Sequence, residues 1–298
     1  MVSLFAGSSN PELAYELSNL FNISLGKVTI KRFSDGEIYI KLDEDVTNKS
    51  VYVMQSICSP AGEHMLELLI MIDALKRSVC SEIFLIIPYL GYSRQDRMVC
   101  YGEPITAKLI ADLISNSGVK KVITIDLHST QIQGFFNIPV LNLSVEDEMI
   151  SYIESSRINT NNLVVVSPDF GSIRKARSFA NKLNVPLVYI EKIRPRHNES
   201  EVLRVIGDVK GKVALIYDDI VDTAGTMCLA AEFLKENGAV EIYAMCTHPV
   251  LSGEAINKIN SSQIQELVVT NTIPIDSKVI KSQKIKVISA SSIISKVL

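Results

Sequence analysis

Three acidic residues and a loop of small residues carry the clearest chemistry in this sequence. Asp218 and Asp219 end the apolar run "VALIYDD", and Asp222 follows within "DDIVDTAGT". Apolar residues then recur at helical spacing from Met227 to Leu234, and Gly238 suits the position just after a helix. The stretch is therefore predicted to join the carboxyl end of a strand to the amino end of a helix.

A loop in that position is suited to a phosphate group. Backbone N–H groups between Thr223 and Thr226 can converge on one anion, Gly225 permits its close approach, and the helix dipole and two hydroxyls add attraction. The carboxylates would repel that phosphate, but they can accept hydrogen bonds from ribose hydroxyls. These residues are predicted to bind ribose 5-phosphate: Asp218, Asp219, Asp222, Thr223, Ala224, Gly225 and Thr226. The alternative is an ordinary strand–loop–helix connection with Thr223 as its N-cap.

The rest of the chain alternates short apolar runs with helical patterns. Runs such as "IFLIIP" and "LVVVSP" are typical of strands buried on both faces, and "EPITAKLIADLISNSG" has helical spacing. This alternation predicts an α/β fold with mainly parallel sheets flanked by helices. Two domains are expected, residues 1–145 and residues 146–298.

Composition restricts the setting and the partners. The 298 residues are 47% hydrophobic and 21% charged, which is typical of a compact globular protein. A net charge of −3 gives no field that would favour nucleic acid, and no apolar stretch is long enough to cross a membrane. The five cysteines form no CxxC pair, and no secretion signal follows Met1, so we expect a reducing cytoplasm.

"DDIVDTAGT" resembles the phosphoribosyl-diphosphate signature of type I phosphoribosyltransferases and ribose-phosphate pyrophosphokinases. Further segments are similar to pyrophosphokinase motifs, in the same order: "FSDGE", "GYSRQDR", "EPITAK", "DLHSTQIQGFF" and "SPDFG". The resemblance implies two tandem phosphoribosyltransferase-like domains, with about 20 C-terminal residues packing on the first. It also implies transfer of the diphosphoryl group of ATP to the C1 hydroxyl of ribose 5-phosphate, which gives phosphoribosyl diphosphate and AMP.

An ATP site must rely on side chains, because the sequence has neither GxxxxGK[ST] nor GxGxxG. "FSDGE" offers an aromatic face and two acceptors for adenine, and "RQDR" offers donors for phosphate oxygens. The predicted ATP-binding residues are Phe33, Asp35, Glu37, Arg94, Gln95 and Arg97. The alternatives are a plain hairpin with "DG" at its bend and a solvated turn.

Metal contacts are implied mainly by the resemblance. The family pattern places a histidine and an aspartate against the metal–triphosphate, and His128 and Asp169 match them, each after a predicted strand. Mg²⁺ prefers oxygen ligands, so Asp218 and Asp219 are candidates for a second cation. A histidine after a strand is otherwise a capping or packing residue.

The segment "YIEKIRPRHNESE" is basic and interrupted by Pro195. It is either a solvated loop or a cationic flap over the triphosphate. The family's Lys-x-Arg at this place acts on the transition state, and Lys192 and Arg194 match it. We therefore expect these two residues to be catalytic.

The resemblance also implies a homo-oligomer, with the "FSDGE" hairpin reaching a neighbouring subunit's nucleotide site. Three positions depart from the family: Ser172 replaces a common second glycine, Asn271 a common aspartate, and Met98 a common lysine. Two other functions stay open, a type I phosphoribosyltransferase and a non-catalytic regulatory relative.

Overall fold

The structure is a computed structural model that describes residues 2–193 and 202–297, with side chains described for 2–191 and 204–297. Contacts divide the chain into two compact units. The first comprises Met1–Ser144, Thr272–Pro274 and Ser289–Leu298. The second comprises Val145–Asn271 and Ile275–Ile288. The final residues therefore join the first unit, although they follow the second in sequence.

The first unit is built around a parallel sheet. Its elements are β1 (Val2–Ala6), α1 (Pro11–Phe21), β2 (Val28–Arg32), β3 (Ile38–Leu42), β4 (Ser50–Met54), α2 (Ala61–Arg77), β5 (Glu82–Ile87), α3 (Thr106–Asn116), β6 (Lys121–Ile125), a 3₁₀ helix (Thr130–Phe135), β7 (Val140–Leu143) and, from the C-terminus, α9 (Ser291–Ser295). The sheet order is β1-β4-β5-β6-β7, with every neighbouring pair parallel. Strands β2 and β3 form a separate antiparallel hairpin.

The second unit repeats this architecture with a larger sheet. Its elements are α4 (Glu146–Ser155), β8 (Leu163–Ser167), α5 (Ile173–Leu183), β9 (Leu187–Ile193), β10 (Val202–Ile206), β11 (Val213–Val221), α6 (Gly225–Glu236), β12 (Glu241–Pro249), α7 (Ala255–Ser261), β13 (Glu266–Thr270), α8 (Ser277–Lys281) and β14 (Ile285–Ile288). The strand order is β10-β9-β8-β11-β12-β13-β14, and only the β9–β10 pair is antiparallel within the described residues.

That order reverses direction between β8 and β11. The chain leaves β8 toward β9 on one side and returns to β11 on the other. In open α/β sheets such a switch point leaves a crevice at the carboxyl ends of the two strands, where ligands bind. The loops after β8 and β11 therefore lie at the edge expected for a site.

Buried apolar residues explain why both sheets form. All five residues of β8 are buried, as are Val213 through Tyr217 of β11. Helix α6 covers this sheet with Met227, Ala230, Ala231 and Leu234, the residues that the helical spacing singled out. The predicted α/β class with mainly parallel sheets is confirmed.

One boundary differs from the prediction. The sequence indicated that Asp218 and Asp219 end a strand, yet β11 continues to Val221. The reason is its neighbour, because β12 pairs with β11 as far as Val221↔Pro249, whereas β8 pairs with it only as far as Ile216↔Val166. The two carboxylates thus lie on a strand with one paired edge and one edge open toward β8.

No helix in the described ranges is both long and apolar enough to span a membrane.

Candidate functional site

The loop between β11 and α6 has an uncapped helix start. Ala224 is the N-cap of α6, so the alternative with Thr223 in that role is wrong. Ala224 adopts a left-handed conformation with φ 59°, and no side chain caps the helix. The first N–H groups of α6 therefore receive no side-chain acceptor at the cap, which is the arrangement that favours an anion.

Gly225 leaves open space in front of that helix start. A Cβ atom placed on Gly225 would come no nearer than 3.7 Å to another atom, the hydroxyl oxygen of Thr223. By contrast, a Cβ on Gly91 would lie 2.1 Å from the carbonyl oxygen of Ile57. Packing within the described chain thus accounts for Gly91 but not for Gly225, and a closely approaching ligand would account for the latter.

Asp218 and Asp219 form a mutually repelling pair. Oδ1 of Asp218 accepts hydrogen bonds from the Ser172 hydroxyl at 2.6 Å and from the Asp219 N–H at 2.9 Å. Burial, together with the adjacent charge of Asp219, raises the pKa of Asp218 to about 7. Asp219 is itself buried, and its Oδ2 lies 2.8 Å from Nζ of Lys175.

The Lys175–Asp219 contact is ionic rather than an aligned hydrogen bond. Nζ of Lys175 is shielded from solvent and makes no hydrogen bond of acceptable geometry within the described residues, despite its short distance to Asp219. Its charge offsets one of the two carboxylates, and the remaining charge is left near the open edge of β11.

Asp169 lies at the other side of the crevice, two residues beyond β8. Its Oδ1 accepts the backbone N–H of Ser172 at 3.1 Å, with the Ser172 hydroxyl at 3.3 Å. Ser172 immediately precedes α5 and is buried. One serine therefore connects the predicted metal residue Asp169 with the predicted ribose residue Asp218.

Asp222 is held in place by hydrogen bonds from Ser252, which follows the neighbouring strand β12. The Ser252 hydroxyl donates to Asp222 Oδ1, and the Ser252 N–H donates to the Asp222 carbonyl at 3.1 Å. Asp222 also has further contacts. Thr223 and Thr226 are exposed on the same loop. The seven predicted ribose-5-phosphate residues thus lie together at the end of β11, in the loop after it and at the start of α6, with Asp219 and Ala224 buried and Thr223 and Thr226 exposed.

The segment from Phe33 to Glu37 is the turn of the β2–β3 hairpin. The Phe33 N–H donates to the Glu37 carbonyl at 2.9 Å, and Gly36 takes φ 94°, which suits glycine. Phe33 is 55% exposed and meets Tyr39 edge-on, with ring centroids 5.6 Å apart. The hairpin alternative is therefore correct as local structure, and it presents an aromatic face and the carboxylates of Asp35 and Glu37 to solvent.

Arg94, Gln95 and Arg97 follow β5 in the same unit, and all three are exposed. Gln95 is oriented by α3, because its Oε1 accepts from the Thr106 hydroxyl at 2.6 Å and its carbonyl accepts from Ala107 N–H at 3.0 Å. These bonds couple "RQDR" to the "EPITAK" segment. Because Oε1 of Gln95 is engaged as an acceptor, its amide nitrogen is the group that can donate to a ligand.

His128 lies in the loop after β6, where it is exposed and has contacts of its own. The preceding Asp126 has φ 40°, and the Leu127 N–H donates to Oδ1 of Asn142 at 3.0 Å. The loop is thus anchored from β7. His128 belongs to the first unit and Asp169 to the second.

The predicted catalytic pair falls at the edge of the described chain. The backbone of Lys192 lies in β9 and pairs with Leu203 of β10. Arg194 lies outside the described residues, as do Arg196 and His197 of the same basic segment.

The donor set suits Mg²⁺ carried on phosphates. Asp169, Asp218 and Asp219 offer hard oxygen ligands. The pKa of Asp218 is raised first by burial and then by the adjacent charge of Asp219, and a bound cation would favour the ionised carboxylate. No group of three or more His, Cys, Asp or Glu side chains in the described part of the chain could enclose a metal ion. Magnesium commonly keeps waters and substrate phosphates as its other ligands, so this arrangement fits it.

Three residues that contact the site were not predicted from the sequence: Ser172, Lys175 and Ser252. Ser172 and Lys175 are three apart at the start of α5, so they share a helix face. Ser252 follows β12, the strand beside β11. A search for polar residues just after every strand would have found Ser172 and Ser252, but nothing local indicates their partners.

Comparisons with known proteins match both ends of the chain. Residues 2–118 match the N-terminal domain of ribose phosphate pyrophosphokinase, and residues 192–298 match a phosphoribosyl synthetase-associated domain. Ribose-phosphate pyrophosphokinase of Oceanobacillus iheyensis is 48% identical over 297 residues, which is 100% of this chain and 93% of that protein. The Bacillus subtilis enzyme of the same name is 49% identical over 272 residues, covering 91% of this chain and 85% of its own.

A solved structure agrees with these sequence matches. Phosphoribosylpyrophosphate synthetase from Mycobacterium smegmatis superposes with a TM-score of 0.93 at 37% identity, covering 99% of this chain and 96% of that one. The implied fold of two tandem phosphoribosyltransferase-like domains is thereby confirmed. Relatives of this name also decide against the phosphoribosyltransferase alternative.

Proposed function

The chain belongs to the ribose-phosphate pyrophosphokinase family, and we propose that the loops at the β8–β11 crevice bind ribose 5-phosphate, while the hairpin and the turn after β5 bind ATP. The enzyme is a transferase that moves the diphosphoryl group of ATP to the C1 hydroxyl of ribose 5-phosphate. Its products are phosphoribosyl diphosphate and AMP.

Ribose 5-phosphate is assigned to the β11–α6 loop. The observation that carries this proposal is the uncapped start of α6, which follows the half-buried Asp218 and the buried Asp219 in the chain. Thr223 to Thr226 would receive the 5-phosphate on backbone N–H groups and hydroxyls. Asp218, Asp219 and Asp222 would accept hydrogen bonds from the ribose hydroxyls, and this fixes the direction in which the C1 hydroxyl points.

ATP is assigned to the first unit's exposed groups. The half-exposed ring of Phe33 offers a stacking face, and Asp35 and Glu37 can accept from the adenine amino group. Arg94 and Arg97 can donate to phosphate oxygens, with Gln95 held beside them by α3. These roles are supported by exposure and chemistry.

Mg²⁺ is the proposed cofactor. Asp169 and His128 would face the metal–triphosphate, directly or through water, and Asp218 and Asp219 would face a second cation near the ribose. When bound, the ion neutralises charge on the phosphate oxygens during transfer. The protein's part is to hold ATP and ribose 5-phosphate in line, which lowers the barrier by orientation.

Lys192 and Arg194 are the proposed catalytic residues, acting on charge that builds around the transferred phosphorus. Removing a contact that is made only in the transition state lowers kcat without altering substrate affinity. Lys192→Ala is expected to lower kcat by about 10²–10³-fold at saturating ATP, with KM changed little. Arg196→Ala, beyond Pro195, is the matched control and should keep kcat within a few fold; an unchanged kcat in Lys192→Ala would contradict the assignment.

A homo-oligomer is proposed, in which the hairpin completes the nucleotide site of a neighbouring subunit. A cytoplasmic location is also proposed, and the five free thiols of the chain support it.

The activity itself is tested by incubating the protein with ATP, Mg²⁺ and ribose 5-phosphate and separating the nucleotides. The expected products are AMP and phosphoribosyl diphosphate in equal amounts. Formation of ADP would mean transfer of a single phosphoryl group and would contradict the reaction.

A further inference from the structure

We propose that Ser172 is a positioning residue for the ribose site, because its hydroxyl fixes Asp218 in the orientation that receives a sugar hydroxyl. The inference rests on the proposed role of Asp218 in binding ribose 5-phosphate and adds to it a residue that holds Asp218 in place.

The geometry gives the single hydroxyl proton of Ser172 to Asp218. Oγ of Ser172 lies 2.6 Å from Oδ1 of Asp218 and 3.3 Å from Oδ1 of Asp169. The shorter contact is a normal O–H···O hydrogen bond, and the longer one is beyond the usual range. Asp169 instead receives the Ser172 backbone N–H at 3.1 Å. The two carboxylates are therefore held by different atoms of one residue.

That bond selects which oxygen of Asp218 faces a ligand. Both hydrogen bonds that Asp218 receives among the described residues end on Oδ1, from Ser172 and from the Asp219 N–H at 2.9 Å. Oδ2 receives neither of these bonds. Although the neighbouring Asp219 carboxyl also interacts with the Asp218 side chain, the lone pairs of Oδ2 can accept from a donor such as a ribose hydroxyl. Loss of the serine hydroxyl would leave Oδ1 with one donor and would free the carboxylate to rotate.

The restraint also holds because Ser172 itself cannot move freely. The residue is 7% exposed, and it stands directly before α5, whose Ala176 N–H donates to the Ser172 carbonyl at 2.9 Å. Three residues further on, Lys175 meets Asp219. One face of the first turn of α5 therefore holds both members of the acidic pair across the crevice between β8 and β11.

Steady-state kinetics of Ser172→Ala and Ser172→Gly test the proposal. Both remove the hydroxyl but keep the N–H bond to Asp169. The KM for ribose 5-phosphate is expected to rise about 5–20-fold, while the KM for ATP stays within twofold. Ser172→Thr, which keeps a hydroxyl, should have a KM for ribose 5-phosphate close to that of the natural protein. Ser178→Ala on the same helix removes a hydroxyl bonded to Glu146 at 3.2 Å and should change neither KM.

Asp218→Asn separates failure of this inference from failure of the ribose assignment. If Asp218→Asn leaves the KM for ribose 5-phosphate unchanged, the proposed ribose role of Asp218 is wrong. If that variant raises it but Ser172→Ala and Ser172→Gly do not, only the positioning role is wrong. Equal rises in the KM for ribose 5-phosphate and the KM for ATP would also overturn the positioning role. So would a Ser172→Thr variant that is as impaired as Ser172→Ala. In the Asp218→Ala background, Ser172→Ala should add nothing.

Discussion

Two neighbouring carboxylates in a largely buried strand repel each other, and Asp218 and Asp219 are kept in that arrangement by partners at the start of α5 and immediately before it. Ser172 donates to Asp218, and Lys175 lies 2.8 Å from Asp219. The pKa of Asp218 is nevertheless raised to about 7, first by burial and then by the charge of Asp219. The protein thus holds unfavourable charge where a cation or ligand hydroxyls would relieve it, as is common at functional sites.

This raised pKa predicts a pH dependence of folding stability in the absence of divalent cations. The unfolded carboxyl loses its proton near its ordinary pKa of 3.8, whereas the folded one keeps it until about pH 7. The folded state binds more protons in that window, so its contribution to stability falls as pH rises through it. Asp218→Asn should remove this fall.

Urea denaturation with a chelator present, from about pH 4 to about pH 8, measures the effect. The free energy of unfolding of Asp218→Asn, relative to that of the natural protein, should increase by about 1–4 kcal/mol as pH rises. Above pH 7 this difference should not increase further. The control is Asp208→Asn, because the hydrogen bond to Lys212 lowers the pKa of that exposed residue. A constant difference between Asp218→Asn and the natural protein at every pH would contradict the prediction.

If the loop between β11 and α6 binds ribose 5-phosphate, substitutions in it should weaken the binding of that substrate and not of ATP. Asp222→Ala and Thr226→Ala should each weaken ribose 5-phosphate binding by about 1.5–3 kcal/mol, the usual cost of one charge-assisted contact, and leave ATP binding nearly unchanged. Titration calorimetry with each substrate measures both affinities. Equal losses for ATP would show that the loop serves the nucleotide instead, and Glu232→Ala on the far part of α6 serves as the control.

At the scale of elements, the site depends on loops at the carboxyl ends of parallel strands. Tyr92, Asp126 and Ala224 all have positive φ without being glycine, and each lies in a loop that follows a strand. Such a conformation costs about 1–2 kcal/mol for a residue with a Cβ. Strain of this kind concentrates in binding loops held by a rigid scaffold. Here the sheets supply the scaffold, and the loops carry the chemistry.

Helix α9 predicts a stability role for the chain end. It packs against α1 within the first unit, where Ile294 is fully buried and Ser289 donates to Glu16. Ile294→Ala should lower the free energy of unfolding by about 2–5 kcal/mol, since it removes buried methylene groups and leaves a cavity. Chemical denaturation checks this, with exposed Ser292→Ala as the control. A change no larger than that control would mean that α9 does not stabilise the unit.

At the scale of the whole molecule, the two units use similar sheets for different tasks. The sheet of the first unit grows in one direction from β1 to β7, whereas the sheet of the second reverses between β8 and β11. The reversal leaves a crevice between β8 and β11, where we propose that ribose 5-phosphate binds, and the first unit instead presents groups on an exposed hairpin and turn. The hairpin strands are not hydrogen-bonded to the five-stranded sheet, and their turn at Phe33 to Glu37 is exposed, as the proposed contact with another subunit requires.

A shared nucleotide site predicts complementation between inactive variants. Glu37→Ala removes a carboxylate of the hairpin and Lys192→Ala removes a proposed catalytic amine, so each should be poorly active alone. Mixed oligomers would contain sites that pair an intact hairpin with an intact Lys192, and activity should recover to about a quarter with random exchange. Mixing Glu37→Ala with Asp35→Ala, two hairpin variants, should recover nothing. No recovery in the first mixture, with exchange verified by mass spectrometry, would contradict sharing.

The sequence by itself determined the fold class and the strand–loop–helix units that carry the candidate site. Apolar runs, helical spacing and small-residue loops act over a few neighbouring residues, so strand–loop–helix units and the hairpin at "FSDGE" were predictable without coordinates. The end of β11 was not, because its last residues are paired by β12, which comes later in the chain. The local sequence pattern does not indicate which strand will pair with those residues.

Only the tertiary structure decided which residues hold the acids. Ser172 and Asp218 are 46 residues apart, and they meet because the strand order places β8 beside β11. The same holds for Ser252 with Asp222, and for the final helix, which joins the unit formed by the beginning of the chain. Strand order depends on how whole elements bury their apolar faces together, so contacts across a crevice follow from the assembled sheet and not from the motifs themselves.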